Sequence, residues 1–272
     1  MSCFKKLLLV NFVNNNKFTK TQAMKNLLLL LCFTQILIAQ PKDYVKISQD
    51  FIEAAKFGEG NTEEFVALIA NANETDLLNQ LTNDDLKKAF FINLYNGFTN
   101  YALKKDPEKY KSRSAFFTSK QFVLAGNELS LDDIEHGFLR KSSIKYSVGK
   151  LNKIFPPKLE KKFRVDKLDY RIHFSLNCGA KSCPPIFFYD PKKINEQLDV
   201  ATKSYLTGDA SYDKEKNILR VPVLMSWFRG DFGDKKGILK ICQDLKIIPE
   251  NVNPKLEYNE YDWSLFLENF KN

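Results

Sequence analysis

The stretch from Asp84 to Leu103 reads DDLKKAFFINLYNGFTNYAL. Leu86, Phe90, Leu94, Phe98 and Ala102 recur every fourth residue and lie close to one line on a helix. Phe91, Ile92, Tyr95 and Tyr101 cover most of the remaining circumference, so the pattern predicts a long helix buried on several sides. Asn83 stands where it can cap that helix. Asn93, Asn96 and Asn100 follow i, i+3, i+7 spacing and form a stripe of carboxamides among large apolar neighbours. A buried carboxamide costs about 1–3 kcal/mol unless it finds partners. These three therefore either pair with loop backbone or orient a histidine.

Working outward, Tyr44–Phe57 is an amphipathic helix with Val45, Ile47, Phe51, Ala54 and Ala55 on its apolar side, and Gly58 and Gly60 as stop signals. Short helical pieces follow at Asn61–Ala70 and Glu74–Leu81. Gln121–Leu124 and Glu128–Ser130 read as a hairpin with Gly126 and Asn127 at its turn. A helix then starts at Ser130 as N-cap, with Asp132 and Asp133 in its first turn and Arg140 near its end. Tyr170–Asn177 reads as a strand. Asp190 is expected to cap a helix with Pro191 at its first position, running to Gly208. Ile218–Leu224 reads as a strand whose Pro222 marks an edge or an end, Lys235–Leu245 as a helix, and Tyr258–Phe270 as an aromatic tail. Without repeats or a charge block, the expectation is one α+β domain, several helices packed on a small, mostly antiparallel sheet.

At the N-terminus, Met24, Lys25 and the apolar run Leu27–Leu31, Cys32, Phe33 and Ile36–Ala39 before Gln40 have the layout of a secretory signal peptide. The run is shorter than the roughly 20 apolar residues of a membrane span and is broken by Thr34 and Gln35. Leu31 before Cys32 argues against a lipidated cysteine. The reading is a leader over 1–39, translation starting at Met24, and an exported mature domain over 40–272, periplasmic or extracellular, with no transmembrane span. The leader holds five Lys and no acid, so the formal charge falls from +8 to +3 without it, which leaves no case for a nucleic-acid partner. Cys178, Cys183 and Cys242 remain, an odd number that allows one internal disulfide at most.

The richest segment for chemistry runs from Arg171 to Asn177 and into a loop bearing Cys178 and Cys183. As a strand it sends Ile172, Phe174 and Leu176 to one face and Arg171, His173, Ser175 and Asn177 to the other. That polar row is either the wet face of a sheet or a set of ligand-positioning groups. The only histidines are His136 and His173, and neither stands at a recognised metal-ligand spacing from the cysteines, so no metal and no cofactor is expected. Glu135 and His136 are adjacent on a helix and do not face each other as an acid–base pair.

Phe90-Phe91-Ile92-Asn93-Leu94-Tyr95-Asn96, Ile134-Glu135-His136 with Leu139-Arg140, Arg171-Ile172-His173-Phe174 through Asn177-Cys178, Ser182-Cys183-Pro184-Pro185, and Tyr261-Asp262-Trp263-Ser264 resemble, in order, successive motifs of the DUF547 family. The cysteine loop is the most specific of them; Phe90-Phe91 stands where Phe-Trp is expected. The resemblance implies a shared fold and a shared site region, not a reaction.

Two functions compete. One is a domain binding a small molecule or a cell-envelope component, with Cys178 and Cys183 joined in a disulfide and Arg171, Ser175, Asn177, Lys181, Asn93, Asn96 and Glu135 as candidate binding residues. The other is a thiol-dependent hydrolase or acyl transferase, with Cys178 or Cys183 as nucleophile, His136 or His173 as base, and positive charge from His173, Arg171 and Lys181 lowering the thiol pKa. A third reading, an assembly protein using Trp227, Phe228 and Trp263, ranks last.

Overall fold

The structure is a computed structural model that describes residues 42–58 and 61–271. The leader at 1–39, the start at Met24 and the stop signal at Gly60 lie outside the described residues. Asp43 accepts from the Lys46 amide to cap α1 (Tyr44–Phe57), and Gly58, at φ 68°, closes it in the left-handed conformation. Two short helices, α2 (Thr62–Ala70) and α3 (Glu74–Gln80), lead to α4 (Asp84–Lys105), capped by Asn83 as its sequence predicts. Of the 22 residues of α4, 16 are buried, so this helix is the axis on which the others pack. Gly97 is what lets α1 approach: a Cβ there would stand 2.5 Å from the Phe51 ring. Around the axis, Phe91 meets Phe138 at 4.7 Å and Phe98 stacks on Phe122 at 4.4 Å.

After α5 (Arg113–Thr118) comes the hairpin β1 (Phe122–Leu124) and β2 (Asn127–Leu129), antiparallel with Leu124 opposite Asn127. Its turn is Ala125-Gly126, one residue earlier than expected. The amides of Ala125 and Gly126 donate to the carbonyls of Ile69 and Ala70 at the end of α2, and this docking holds Ala125 at φ 49°. Ser130 and Asp133 then form a reciprocal cap, amide to side chain in both directions. The helix they start becomes a π-helix over Asp133–Leu139, with Arg140 donating to Glu135 and Ser142 to Gly137, both five residues back.

Beyond α6 (Lys158–Phe163) the expected strand Tyr170–Asn177 is absent: Tyr170–Phe174 is a 3₁₀-helix followed by an irregular run. Asp169 explains the start, because its carboxylate accepts from the Arg171 amide and holds the Arg171 guanidinium. Asn96 explains the rest, because its carboxamide bonds the Ser175 carbonyl and the Asn177 amide, at 2.8 Å each, where a neighbouring strand would otherwise be needed. The two-faced split of Arg171 to Asn177 fails with it: Ile172 to Asn177 are all buried and only Arg171 reaches outward.

Asp190 caps a turn, accepting from the Lys192 amide, and α7 (Ile194–Asp209) begins later than expected, at Ile194. The second sheet is β3 (Ser211–Asp213), β4 (Ile218–Val221) and β5 (Lys255–Tyr258), antiparallel then parallel, and β4 stops before Pro222 as its missing amide requires. α8 (Leu224–Trp227) and α9 (Asp234–Asp244) complete a second apolar cluster in which Cys242 is fully buried. The fold is α+β, with helices dominant and two small, mostly antiparallel sheets. Among the described residues no helix is long and apolar enough to cross a membrane.

Candidate functional site

The π-helix, the irregular run after the 3₁₀-helix, α8 and the C-terminal tail enclose a cavity of about 410 Å³. Cys178, Cys183, His136, His173 and Glu135 all line it, together with Tyr95, Trp227, Phe228, Tyr261 and Trp263. Residues up to 168 positions apart in the chain are thus gathered on one pocket.

The cysteine loop owes its shape to two carboxamides and the tail. Asn177 accepts from the Gly179 amide and donates to the Pro184 carbonyl, at 2.8 Å each, and Gly179 turns the chain at φ 85°. The tail lies alongside: Lys181 donates to the Ser264 carbonyl, Phe266 to that of Gly179, and the Asn269 side chain to that of Cys183. This places the Tyr261 hydroxyl 3.1 Å from the Cys183 sulfur and 3.5 Å from that of Cys178.

Cys178 and Cys183 are thiols whose sulfurs stand 2.7 Å apart; no disulfide joins them. The Cys178 thiol is lowered from the ordinary value, first by the Cys183 S–H and then, against burial, by the Tyr261 hydroxyl and the Ala180 amide. Burial and the neighbouring sulfur push Cys183 well above the ordinary value. Tyr261 is raised by burial and by the thiols, so it stays an O–H donor. Cys178 is thus the partly exposed member of the pair and the one whose thiol pKa is lowered, and Cys183, 3 % exposed, is the one whose pKa is raised.

The histidines belong to a second, connected set built on Asp231. Its Oδ2 accepts from His173 Nε2 at 2.8 Å and from Arg140 Nε at 2.6 Å. Burial works against this carboxylate, but the two hydrogen bonds hold its pKa lowered. The His173 ring stacks on Phe228 at 4.0 Å, and burial lowers its pKa despite Asp231. With Nε2–H committed to Asp231, Nδ1 of His173 has no hydrogen-bond partner among the described residues. His136 is pushed down to about 3 by burial and by Arg140. Because Arg140 can only donate, its 2.8 Å contact fixes Nδ1 of His136 as acceptor and leaves the proton on Nε2. No hydrogen bond joins either imidazole to either sulfur.

Glu135 and His136 share the cavity without pairing; their nearest approach is 3.7 Å, and the Tyr95 hydroxyl is 3.4 Å from Glu135. Asp132 is neutralised by Lys145 at 2.6 Å, whereas Glu135 has no Lys or Arg partner among the described residues. Trp227 and Trp263 stack at 5.6 Å to form an aromatic wall.

The other candidates lie elsewhere. Arg171 is bound by Asp169 and Asp199, Ser175 donates to the Ile172 carbonyl, and Lys181 is exposed near Asp262. Asn93 bonds both backbone groups of Tyr189, and Asn96 those of Ser175 and Asn177. These side chains shape backbone; they do not line the cavity. Asp231 was missed in the sequence, although Gly230 before it and Gly149 opposite are the signal: a Cβ on Gly149 would stand 2.3 Å from Asp231 Oδ1, and one on Gly230 2.5 Å from the Gly149 carbonyl. Tyr261 was visible only as part of a motif. Among the described residues no three His, Cys, Asp or Glu side chains converge as a metal-ligand set.

No curated protein and no solved structure matches the chain. Residues 78–206 match the family described as "Protein of unknown function, DUF547". The match takes in both histidines and both cavity cysteines, and it ends before Asp231 and before the motif at Tyr261. By this match, the segment that carries the cysteine loop is similar to the DUF547 family.

Proposed function

We propose that the protein is an exported, thiol-dependent acyl-transfer enzyme, a hydrolase where water is the acceptor, acting on a cell-envelope component. The observation that carries this reading is the partly exposed Cys178 thiol, lowered by three donors, in one cavity with a carboxylate-bound histidine. The Cys178 sulfur attacks the substrate carbonyl as its proton passes to His173 Nδ1; collapse of the tetrahedral intermediate breaks the bond to the leaving group, which departs with that proton and leaves a thioester on Cys178. Nε2–H of His136, fixed as a donor by Arg140, is the group available to the developing oxyanion. His173 Nδ1, with Asp231 holding the opposite N–H, takes the proton of the incoming water in deacylation. Because neither imidazole touches a sulfur, bound water or substrate must bridge them. Glu135 supplies negative charge without a cationic neighbour, which favours an acyl group bearing an N–H or ammonium, such as an amide.

A second reading, a domain that only binds its ligand, draws on the Trp227–Trp263 wall, which offers flat apolar faces to a ring. The two part on one experiment. The reduced protein from residue 40 onward is mixed with p-nitrophenyl acetate. Acyl transfer predicts a burst of one nitrophenol per protein, followed by turnover, lost in Cys178→Ala and kept in Cys242→Ala. Absence of a burst, with iodoacetamide alkylating Cys178 only as an ordinary thiol near pH 8.5, sinks the enzyme reading and leaves binding.

A further inference from the structure

Cys183 has no task in acyl transfer beyond its hydrogen bond, yet the fold sets it with unusual care. Its sulfur is 2.7 Å from that of Cys178 and 3.0 Å from the Cys178 amide, and its own amide bonds the Ala180 carbonyl. The sulfurs need to close by only about 0.7 Å to reach a bond of about 2.05 Å. The loop between them is held from outside by Asn177, by Gly179 in its left-handed turn and by the tail. The two cysteines also differ in access: both line the cavity, but Cys178 is partly exposed whereas Cys183 is buried, at 3 %. An accessible attacking thiol backed by a shielded resolving thiol is the division of labour that thiol–disulfide exchange requires.

We propose that Cys178 and Cys183 form a reversible dithiol–disulfide couple that exchanges with small disulfides entering the cavity. The Cys178 thiolate attacks one sulfur of a disulfide RSSR, forming Cys178–S–S–R and expelling RS⁻. Cys183 gives its proton to that thiolate and attacks the Cys178 sulfur, closing the intramolecular disulfide and releasing the second RS⁻. Two electrons pass from the protein to RSSR, which leaves as one thiol and one thiolate. The couple does not depend on the acyl-transfer reading, although its closure removes the nucleophile that reading needs.

The test equilibrates the folded wild-type protein with oxidised and reduced glutathione at set ratios, quenches with acid and reads intact mass and peptide map. The expected result is a smooth, reversible passage between dithiol and Cys178–Cys183 disulfide, a loss of two hydrogens, with Cys242 reduced throughout. In Cys183→Ser, glutathione should accumulate as a mixed disulfide on Cys178; in Cys178→Ser, Cys183 should take up far less. The proposal is overturned if the wild type stays dithiol in excess oxidised glutathione, or if a disulfide once formed resists excess reduced glutathione in the folded protein. Either result is read without a substrate. Failure of the nitrophenyl ester burst with a titrating couple refutes only the acyl-transfer reading.

Discussion

Keeping His136 neutral inside the protein makes stability fall in mild acid, by an amount that can be worked out. Its folded pKa of about 3 lies below the unfolded value of about 6.5, so the unfolded chain binds more protons throughout that window. The stability held by the neutral ring is complete above about pH 6.5 and is lost as pH falls towards 3. Between pH 7 and pH 5 the loss from this group is about 2 kcal/mol. For a domain of this size that is a fall of about 4–8 °C in Tm. His173 and other groups add their own slopes, so the assay is a difference: urea unfolding of wild type and His136→Gln at pH 7, 6 and 5. Glutamine keeps a carbonyl that can accept from Arg140 and has no proton to gain. The variant should be less stable at pH 7, and its gap from wild type should narrow by about 2 kcal/mol at pH 5. Parallel curves, within about 0.5 kcal/mol, would refute the reasoning and mean that His136 meets solvent as freely folded as unfolded.

Asp231→Asn leaves Arg140, which is fully buried, without its counter-ion, and should cost about 3–5 kcal/mol in urea unfolding, with Arg140→Met/Asp231→Asn recovering part of it. Asn96→Ala removes both bonds that hold Ser175 and Asn177; a loss of about 2–3 kcal/mol is expected, with faster exchange of the Asn177 amide by NMR. Gly149→Ala forces a Cβ into Asp231 at φ 84° and should lower Tm more than Gly126→Ala, whose Cβ would meet nothing. Tyr261→Phe takes one donor from the Cys178 sulfur, so the midpoint of its iodoacetamide pH profile should move up.

The sequence exposed what is decided locally. The all-round apolar pattern of Leu86 to Ala102 with Asn83 before it, the Ser130 cap and the stop at Pro222 each depend on neighbours within a few residues, and each is found in place. The segment after Asp169 misled because polar and apolar residues alternate there as in a strand, whereas Asn96, some 80 positions away, supplies the hydrogen bonds that make a strand unnecessary. The site was half legible. Its cysteines and histidines stand out by rarity and motif, but Arg171 and Lys181 only looked placed to charge the thiol; they are engaged with carboxylates outside the cavity. The thiol is lowered by neutral donors, and Asp231 orients His173 directly and His136 through Arg140; it is brought close by Gly230 beside it and by Gly149, some eighty positions away.

The tail that lies along the cysteine loop carries a consequence for the order of assembly. Cys178 and Cys183 leave the ribosome about eighty residues before Tyr261, and the strand-like bridge from Ala180 to Leu265 and the bond from Asn269 to Cys183 can form only afterwards. Until Tyr261 and the residues after it arrive, the sulfurs lack the Tyr261 hydroxyl and the cavity lacks one wall. A chain cut near residue 260 would keep its central helix and lose the Tyr261 hydroxyl, the Trp263 face of the cavity and the clasp of Asn269 on Cys183.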